Sequence, residues 1–188
     1  MPPLCRLTDS LLLCIDIQDR LYDTLPEPAR RRMLDNTEAL LRGAGLLGIP
    51  VFHTEQYPKG LGKTVTRLQA ALPPKTRRIE KTSFSCCGAD GFTGALRDTH
   101  KRQVVITGVE THICVMQTAL ELQQDGYEVF VVDDAVCSRR MAHWKSGLNR
   151  LRQAGIVAAP TESILFEWLR DARHDQFKAV SALLPPLH

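Results

Sequence analysis

The sequence predicts a three-layer α/β/α fold built on a six-stranded, mostly parallel sheet. Three observations predict it. Short apolar runs alternate with helical patterns about six times, the signature of a sheet covered by helices on both faces. The run Leu11 to Ile15 is continuously apolar, as expected of a strand buried on both sides. Polar or turn residues, namely Asp16, His53, Lys81, Gly108 and Asp134, fall at or near the carboxyl ends of the runs. Sheets of this kind bind ligands outside those ends, where the strand order reverses.

The first strand, Leu11 to Ile15, gives way to Asp16-Ile17-Gln18-Asp19. Pro28 opens a long helix in which Met33, Leu34, Thr37, Leu40, Leu41 and Ala44 recur at helical spacing; Gly45 and Gly48 close it. Ile49 to Thr54 is a second strand, and the turn formers from Glu55 to Gly62 make a loop. Thr64 to Leu72 reads as a short helix ended by Pro73-Pro74, and Arg77 to Lys81 as a third strand. A loop from Thr82 to Gly88 leads to a helix from Phe92 to Thr99. Arg102 to Thr107 is the fourth strand. Gly108 then turns the chain into a helix capped by Thr111 and stopped at Gly126. Glu128 to Asp134 is a fifth strand ending in carboxylates, and Ser138 caps the helix that follows and ends at Gly155. A brief sixth strand, Ile156 to Ala158, precedes a helix from Pro160 through Trp168. A last amphipathic piece spans His174 to Leu184, and Pro185-Pro186 makes a frayed end.

The 188 residues suit one domain over 1–188, with no linker, repeat or low-complexity segment. Hydrophobic residues at 44%, charged residues at 24% and a net charge of +3 mark an ordinary globular chain. Its short basic clusters, Arg30-Arg31-Arg32 and Lys75 to Arg78, read as solvated positions, so no nucleic-acid partner is expected. The six cysteines lack the paired spacing of a zinc site, and a chain this apolar needs no disulfide staples; reduced thiols in the cytoplasm are expected. The apolar stretch after the N-terminus is too short for a secretory signal, and no run approaches the roughly 20 residues of a membrane span.

No glycine-rich dinucleotide fingerprint, P-loop or Gly-x-Ser-x-Gly elbow is present. Among the cysteines, Cys114 is singled out. Counting from Thr111 places it near the third residue of a helix, where the dipole and unpaired N–H groups can lower a thiol pKa from about 8.5 to roughly 3.5–7.5. A cysteine nucleophile also needs a base and oxyanion donors. Asp16, Lys81 and the backbone at the helix start are the candidates.

Three segments together resemble the isochorismatase-like cysteine hydrolases. They are Leu12-Leu13-Cys14-Ile15-Asp16-Ile17-Gln18, Lys81 ahead of Ser83-Phe84, and Thr107-Gly108-Val109-Glu110-Thr111-His112-Ile113-Cys114-Val115. The resemblance implies a Rossmann-like, doubly wound sheet in the order 3-2-1-4-5-6. It implies an Asp16–Lys81–Cys114 triad, a cis peptide between Val109 and Glu110, and oxyanion donors at Ile113 and Cys114. The implied activity is hydrolysis of a small amide, carbamoyl or related acyl substrate through a thioester. A vinyl-ether hydrolase using the Asp as acid, or a non-catalytic oligomeric scaffold, is the alternative. Gln18, Tyr22, Gln56 and Phe84 follow motif positions near the triad and are candidate substrate contacts. Glu110 and His112 flank the nucleophile and point into the pocket or a subunit contact. The metal site of the nicotinamidase members is not matched: His53-Thr54-Glu55-Gln56 lacks the second histidine, and a single histidine falls short of the three or four donors zinc needs. No metal and no cofactor are therefore expected. The partners expected are a small-molecule substrate, no membrane, and further copies of the chain.

Overall fold

In the computed structural model, which describes residues 3–185, six strands form one sheet in the order β3-β2-β1-β4-β5-β6. They are β1 (Ser10–Ile15), β2 (Val51–Gln56), β3 (Arg77–Lys81), β4 (Gln103–Val109), β5 (Glu128–Cys137) and β6 (Val157–Ala159). Every neighbouring pair is parallel. The expected sheet order therefore holds, and its parallel character is complete. The helices are α1 (Asp19–Asp23), α2 (Ala29–Leu47), α3 (Pro58–Leu61), α4 (Thr66–Gln69), α5 (Phe92–Asp98), α6 (Met116–Gln124), α7 (Met141–Gln153), α8 (Thr161–Leu169) and α9 (Phe177–Ser181). Pro186 of the expected frayed end lies outside the described residues.

The period-2 geometry of a strand sends alternate side chains to opposite faces. In β1, Leu12 and Cys14 enter the core covered by α2 and α8, while Leu11, Leu13 and Ile15 enter the core covered by α5, α6 and α7. Both faces are dry, so all five positions are apolar. At roughly 1.5–3 kcal/mol for each large aliphatic side chain buried, the two cores supply the main driving force. Trp168 closes the first core. Its indole Nε1 donates to Ser10 Oγ at 3.0 Å and Cys5 Sγ at 3.1 Å, so its one polar atom is satisfied.

Several elements differ from expectation. β2 starts at Val51 and runs on to Gln56, because it pairs with β3 as far as Lys81. α2 passes through Gly45 and stops at Gly48, the residue in the left-handed region (φ 70°). The helix expected from Thr64 shrinks to α4, because Thr64 instead bridges to Gln18. β5 does not end at Asp133-Asp134. A register shift between Ile106 and Gly108 lets it continue to Cys137, opposite Val109. The two carboxylates thus lie inside the strand. Asp134 Oδ1 accepts from the Thr161 N–H (2.9 Å) and Oγ1 (2.7 Å), tying the start of α8 to the sheet. Replacing Asp134 with Ala should cost about 1–2 kcal/mol, as loss of a helix-start acceptor does, read as a lower urea midpoint at constant m-value. Ser138 does not cap α7, which begins at Met141 after Arg140.

Candidate active site

Three strand ends and one irregular turn build the site. β1 ends at Ile15, and Asp16 follows in the left-handed region (φ 52°), a conformation Asp tolerates better than most residues. Its N–H donates to Thr54 O at 3.2 Å, and its carboxyl group is fully buried. Thr54 Oγ1 donates to Asp16 Oδ1 at 2.6 Å. Lys81, the last residue of β3, donates from Nζ to Asp16 Oδ2 at 2.6 Å, and both side chains are 0% exposed. The same ammonium reaches Gln56 Oε1 (2.6 Å), Phe84 O (3.0 Å) and Ser83 O (3.2 Å). A buried charge pair survives only when its remaining hydrogen-bonding capacity is satisfied, and these partners satisfy it.

The fourth wall comes from β4. The Val109–Glu110 peptide that ends it is cis. The next residues, Thr111–Val115, form a turn of π-helix that carries Cys114 into α6. This corrects the expected α-helical start. Thr111 is no cap: its Oγ1 is buried without a partner among the described residues, and Glu110 occupies the cap position. The Cys114 thiol lies within electrostatic reach of both the Asp16 carboxyl group and the Lys81 ammonium.

The electrostatics also differ from expectation. Burial, with the Asp16 charge adding to it, pushes the Cys114 thiol up to about 12 against the opposing pull of Lys81 and the Glu110 backbone. Desolvation outweighs the helix-start donors, so the thiol is protonated at rest. Burial also raises the Asp16 carboxyl above its ordinary value, against the pull of Lys81 and Thr54. Cys5, Cys14 and Cys86 are likewise pushed up to about 12 by burial. The sign of the resulting pH dependence follows. A thiol that stays neutral in the fold but ionises near 8.5 in the unfolded chain contributes stability fully below that pH and loses it above. Urea unfolding should therefore show stability falling by roughly 1 kcal/mol per buried thiol by pH 9.5; a flat profile from pH 8 to 9.5 would refute the burial.

The other expected contacts divide. Gln56 touches the ion pair and also donates to Thr82 O at 2.7 Å. Phe84 contributes its carbonyl, and its ring is 57% exposed. Gln18 is fully buried, and its amide is spent on backbone: Nε2 donates to Gln56 O and Gly62 O, and Oε1 accepts from Gln56 N. It braces β2 against the following loop. Tyr22 packs against the α2 side of the sheet with the Arg30 guanidinium 5.3 Å from its ring centre, whereas Cys114 belongs to the opposite core. The Ile113 N–H is already bonded to Glu110 O at 3.0 Å, so it is not a free oxyanion donor in this arrangement. Glu110 and His112 turn to the β5–α7 connection. Arg139 holds the Glu110 carboxylate through its N–H (2.9 Å) and Nε (3.0 Å), and His112 Nδ1 lies 3.0 Å from Ser138 Oγ. His53 sits in the core with Nδ1 3.1 Å from Thr64 Oγ1. Thr54 was not singled out beforehand. Only the pairing of Ile15 with Thr54 brings its hydroxyl beside Asp16, and a threonine inside a strand gives no such signal.

Fold and site together define a class: a doubly wound parallel α/β protein with a buried carboxylate–ammonium pair against a cysteine at the carboxyl edge of the sheet. The profile of the Isochorismatase domain matches residues 10–163, and the chain belongs to the isochorismatase family of hydrolases. It is 38% identical over 178 residues to Isochorismatase domain-containing protein 1 of Danio rerio; the match covers 93% of this chain and 60% of that relative's length. Among solved structures it is similar to one described as the MAR1 ribonuclease of Caenorhabditis elegans, with TM-score 0.90, 31% identity and 99% of each chain covered. It is also similar to the YcaC gene product of Escherichia coli, described as an octameric hydrolase of unknown specificity. That match has TM-score 0.89 and 28% identity, and covers 96% of this chain and 88% of that one.

Proposed function

We propose that the chain is a cysteine hydrolase of small amide, carbamoyl or related acyl substrates, with Asp16, Lys81 and Cys114 as its catalytic groups. The observation that carries this reading is the buried Asp16–Lys81 pair, whose two charges both act on the Cys114 thiol. A thiol that is neutral at rest needs a base in contact with it, and a carboxyl raised by burial is a better proton acceptor than an ordinary one. Asp16 takes the thiol proton as Cys114 Sγ bonds to the substrate carbonyl carbon. The C–N bond then breaks, and Asp16 returns the proton to the leaving nitrogen. Water, deprotonated by Asp16, attacks the thioester; the thiolate leaves and recovers the proton. Lys81 keeps Asp16 ionised between steps and fixes the orientation of its carboxylate.

The raised Asp16 carboxyl also suits a general acid, which favours vinyl-ether hydrolysis as the second reading. Turnover of a panel of small amides and vinyl ethers by the unaltered chain and by Cys114→Ala separates the two. The thioester route predicts complete loss with Cys114→Ala and retention with Cys87→Ala; the acid route predicts that Cys114→Ala keeps working. RNA belongs in the panel because one similar structure is described as a ribonuclease: RNA cleavage that survives Cys114→Ala would displace the amide reading. The acid limb is a further test. Protonated Asp16 cannot accept the thiol proton, so kcat/KM should fall as pH drops through a midpoint above the ordinary carboxylate value near 4. That limb should vanish from the alkylation profile of Cys114 in Asp16→Asn.

We further infer that the enzyme works in the cytoplasm as a homo-oligomer. Six free cysteines fit a reducing compartment. No helix among the described residues is long and apolar enough to cross a membrane. The octameric relative and the partly exposed Phe166 on α8 support assembly, which sedimentation would measure.

A further inference from the structure

A cleft beside the π-helical turn has no part in the chemistry above. It is a half-open concavity of about 440 Å³ lined by the exposed residues Arg139, Arg140 and His143. That volume lies in the range of small-molecule sites. No acidic side chain lines it. The carboxylate of Glu110 is held by the backbone N–H and Nε of Arg139, which leaves the terminal guanidinium nitrogens of that arginine uncommitted by this pair. Among the described residues neither Arg140 nor His143 has a carboxylate partner. The His112 ring lies 4.5 Å from that of His143, a further nitrogen base at the rim. The 13-residue helix α7 starts here with no side-chain cap and no acidic residue in its first turn, so the positive end of its dipole adds to the same field.

Cations spread over a convex surface are neutralised by solvent at little cost. Here Arg139, Arg140 and His143 line one concavity, and the Glu110 carboxylate engages Arg139 alone; a planar guanidinium presents paired donors matched to carboxylate or phosphate oxygens. We infer that the cleft at the start of α7 is a binding site for a small dianion, a phosphate monoester or a dicarboxylate. The dianion is either an acidic group of the substrate or a separate effector. In both cases the same side chains, Arg140 and His143, hold it, with Arg139 reaching from its pairing with Glu110.

The test uses the whole chain, titrated with inorganic phosphate and with succinate by calorimetry at fixed ionic strength. Arg140→Gln and His143→Gln should each weaken binding at least tenfold. Lys145→Gln removes a charge from an exposed position of the same helix outside the cleft and should change it less than twofold. Equal weakening by all three would mean diffuse charge and would overturn the site, as would no binding by the unaltered chain. Binding of a short single-stranded RNA without binding of phosphate or succinate would overturn it too. Iodoacetamide labelling of Cys114 separates the sources: protection by saturating phosphate marks an extension of the substrate pocket, and unprotected labelling with binding intact marks an effector site.

Discussion

Asp16→Asn is expected to abolish turnover and to weaken the fold at the same time. The substitution keeps the shape of the side chain and removes its charge. Loss of a positioned base costs about 10²–10⁴ in rate. The effect on stability comes from Lys81. Its ammonium, 0% exposed, would keep only Gln56 Oε1 and the carbonyls of Ser83 and Phe84, all neutral acceptors. Breaking a buried pair by removing one partner costs roughly 3–5 kcal/mol, because the remaining charge stays desolvated. The paired substitution Asp16→Asn with Lys81→Met removes that charge and should recover most of the stability while recovering no activity. Urea midpoints and amide turnover of the single and double variants check both parts. Near-normal turnover by Asp16→Asn would refute the assigned base. An unchanged midpoint would refute the buried ion pair.

Gly108→Ala is expected to damage the fold more than any other single methyl addition near the site. Gly108 sits at φ 123°, a region that L side chains rarely adopt. It pairs with Ile15 of the central strand. A Cβ there would run into the Ile15 carbonyl oxygen, and would lie 2.7 Å from Ile15 N and 2.8 Å from its carbonyl carbon. These are backbone atoms of a strand bonded on both sides, so they cannot step aside as a side-chain tip can. The sum of steric overlap and backbone strain should exceed about 4 kcal/mol, enough to leave little soluble protein. Gly94→Ala is the matched control. Gly94 lies in α5, where an added Cβ meets nothing within 4 Å, and alanine is the better helix former by roughly 0.5–1 kcal/mol. Opposite shifts in melting temperature for the two variants are the expected result.

Much of this fold was legible because its central strands are buried on both sides. Leu11 to Ile15 is an unbroken apolar run, so the strand announced itself, and the helix and turn patterns between such runs gave the alternation of elements. The failures have identifiable causes. β5 ran three residues past its expected end because its register with β4 shifts at Ile106 and Gly108, and a bulge depends on the partner strand. The turn around Cys114 read as an ordinary helix start because π-helix is rare and occurs mostly as single turns within α-helices. Gln18 and Tyr22 occupy motif positions near Asp16, yet one braces backbone and the other faces the opposite core.

For this chain, the sequence alone determined which chemical groups are available and where along the chain they fall. Asp16, Lys81 and Cys114 each follow a strand or end one, and a parallel sheet collects such ends at one edge. What only the tertiary structure decided is the state of those groups. Lys81 is 65 positions from Asp16, and their 2.6 Å contact exists because β1, β2 and β3 lie side by side. The helix-start argument gave an acidic thiol at Cys114; burial gives one held up near 12. The reason is that desolvation depends on every neighbour the fold packs around a group, whereas a local motif supplies only the few donors next to it in the chain.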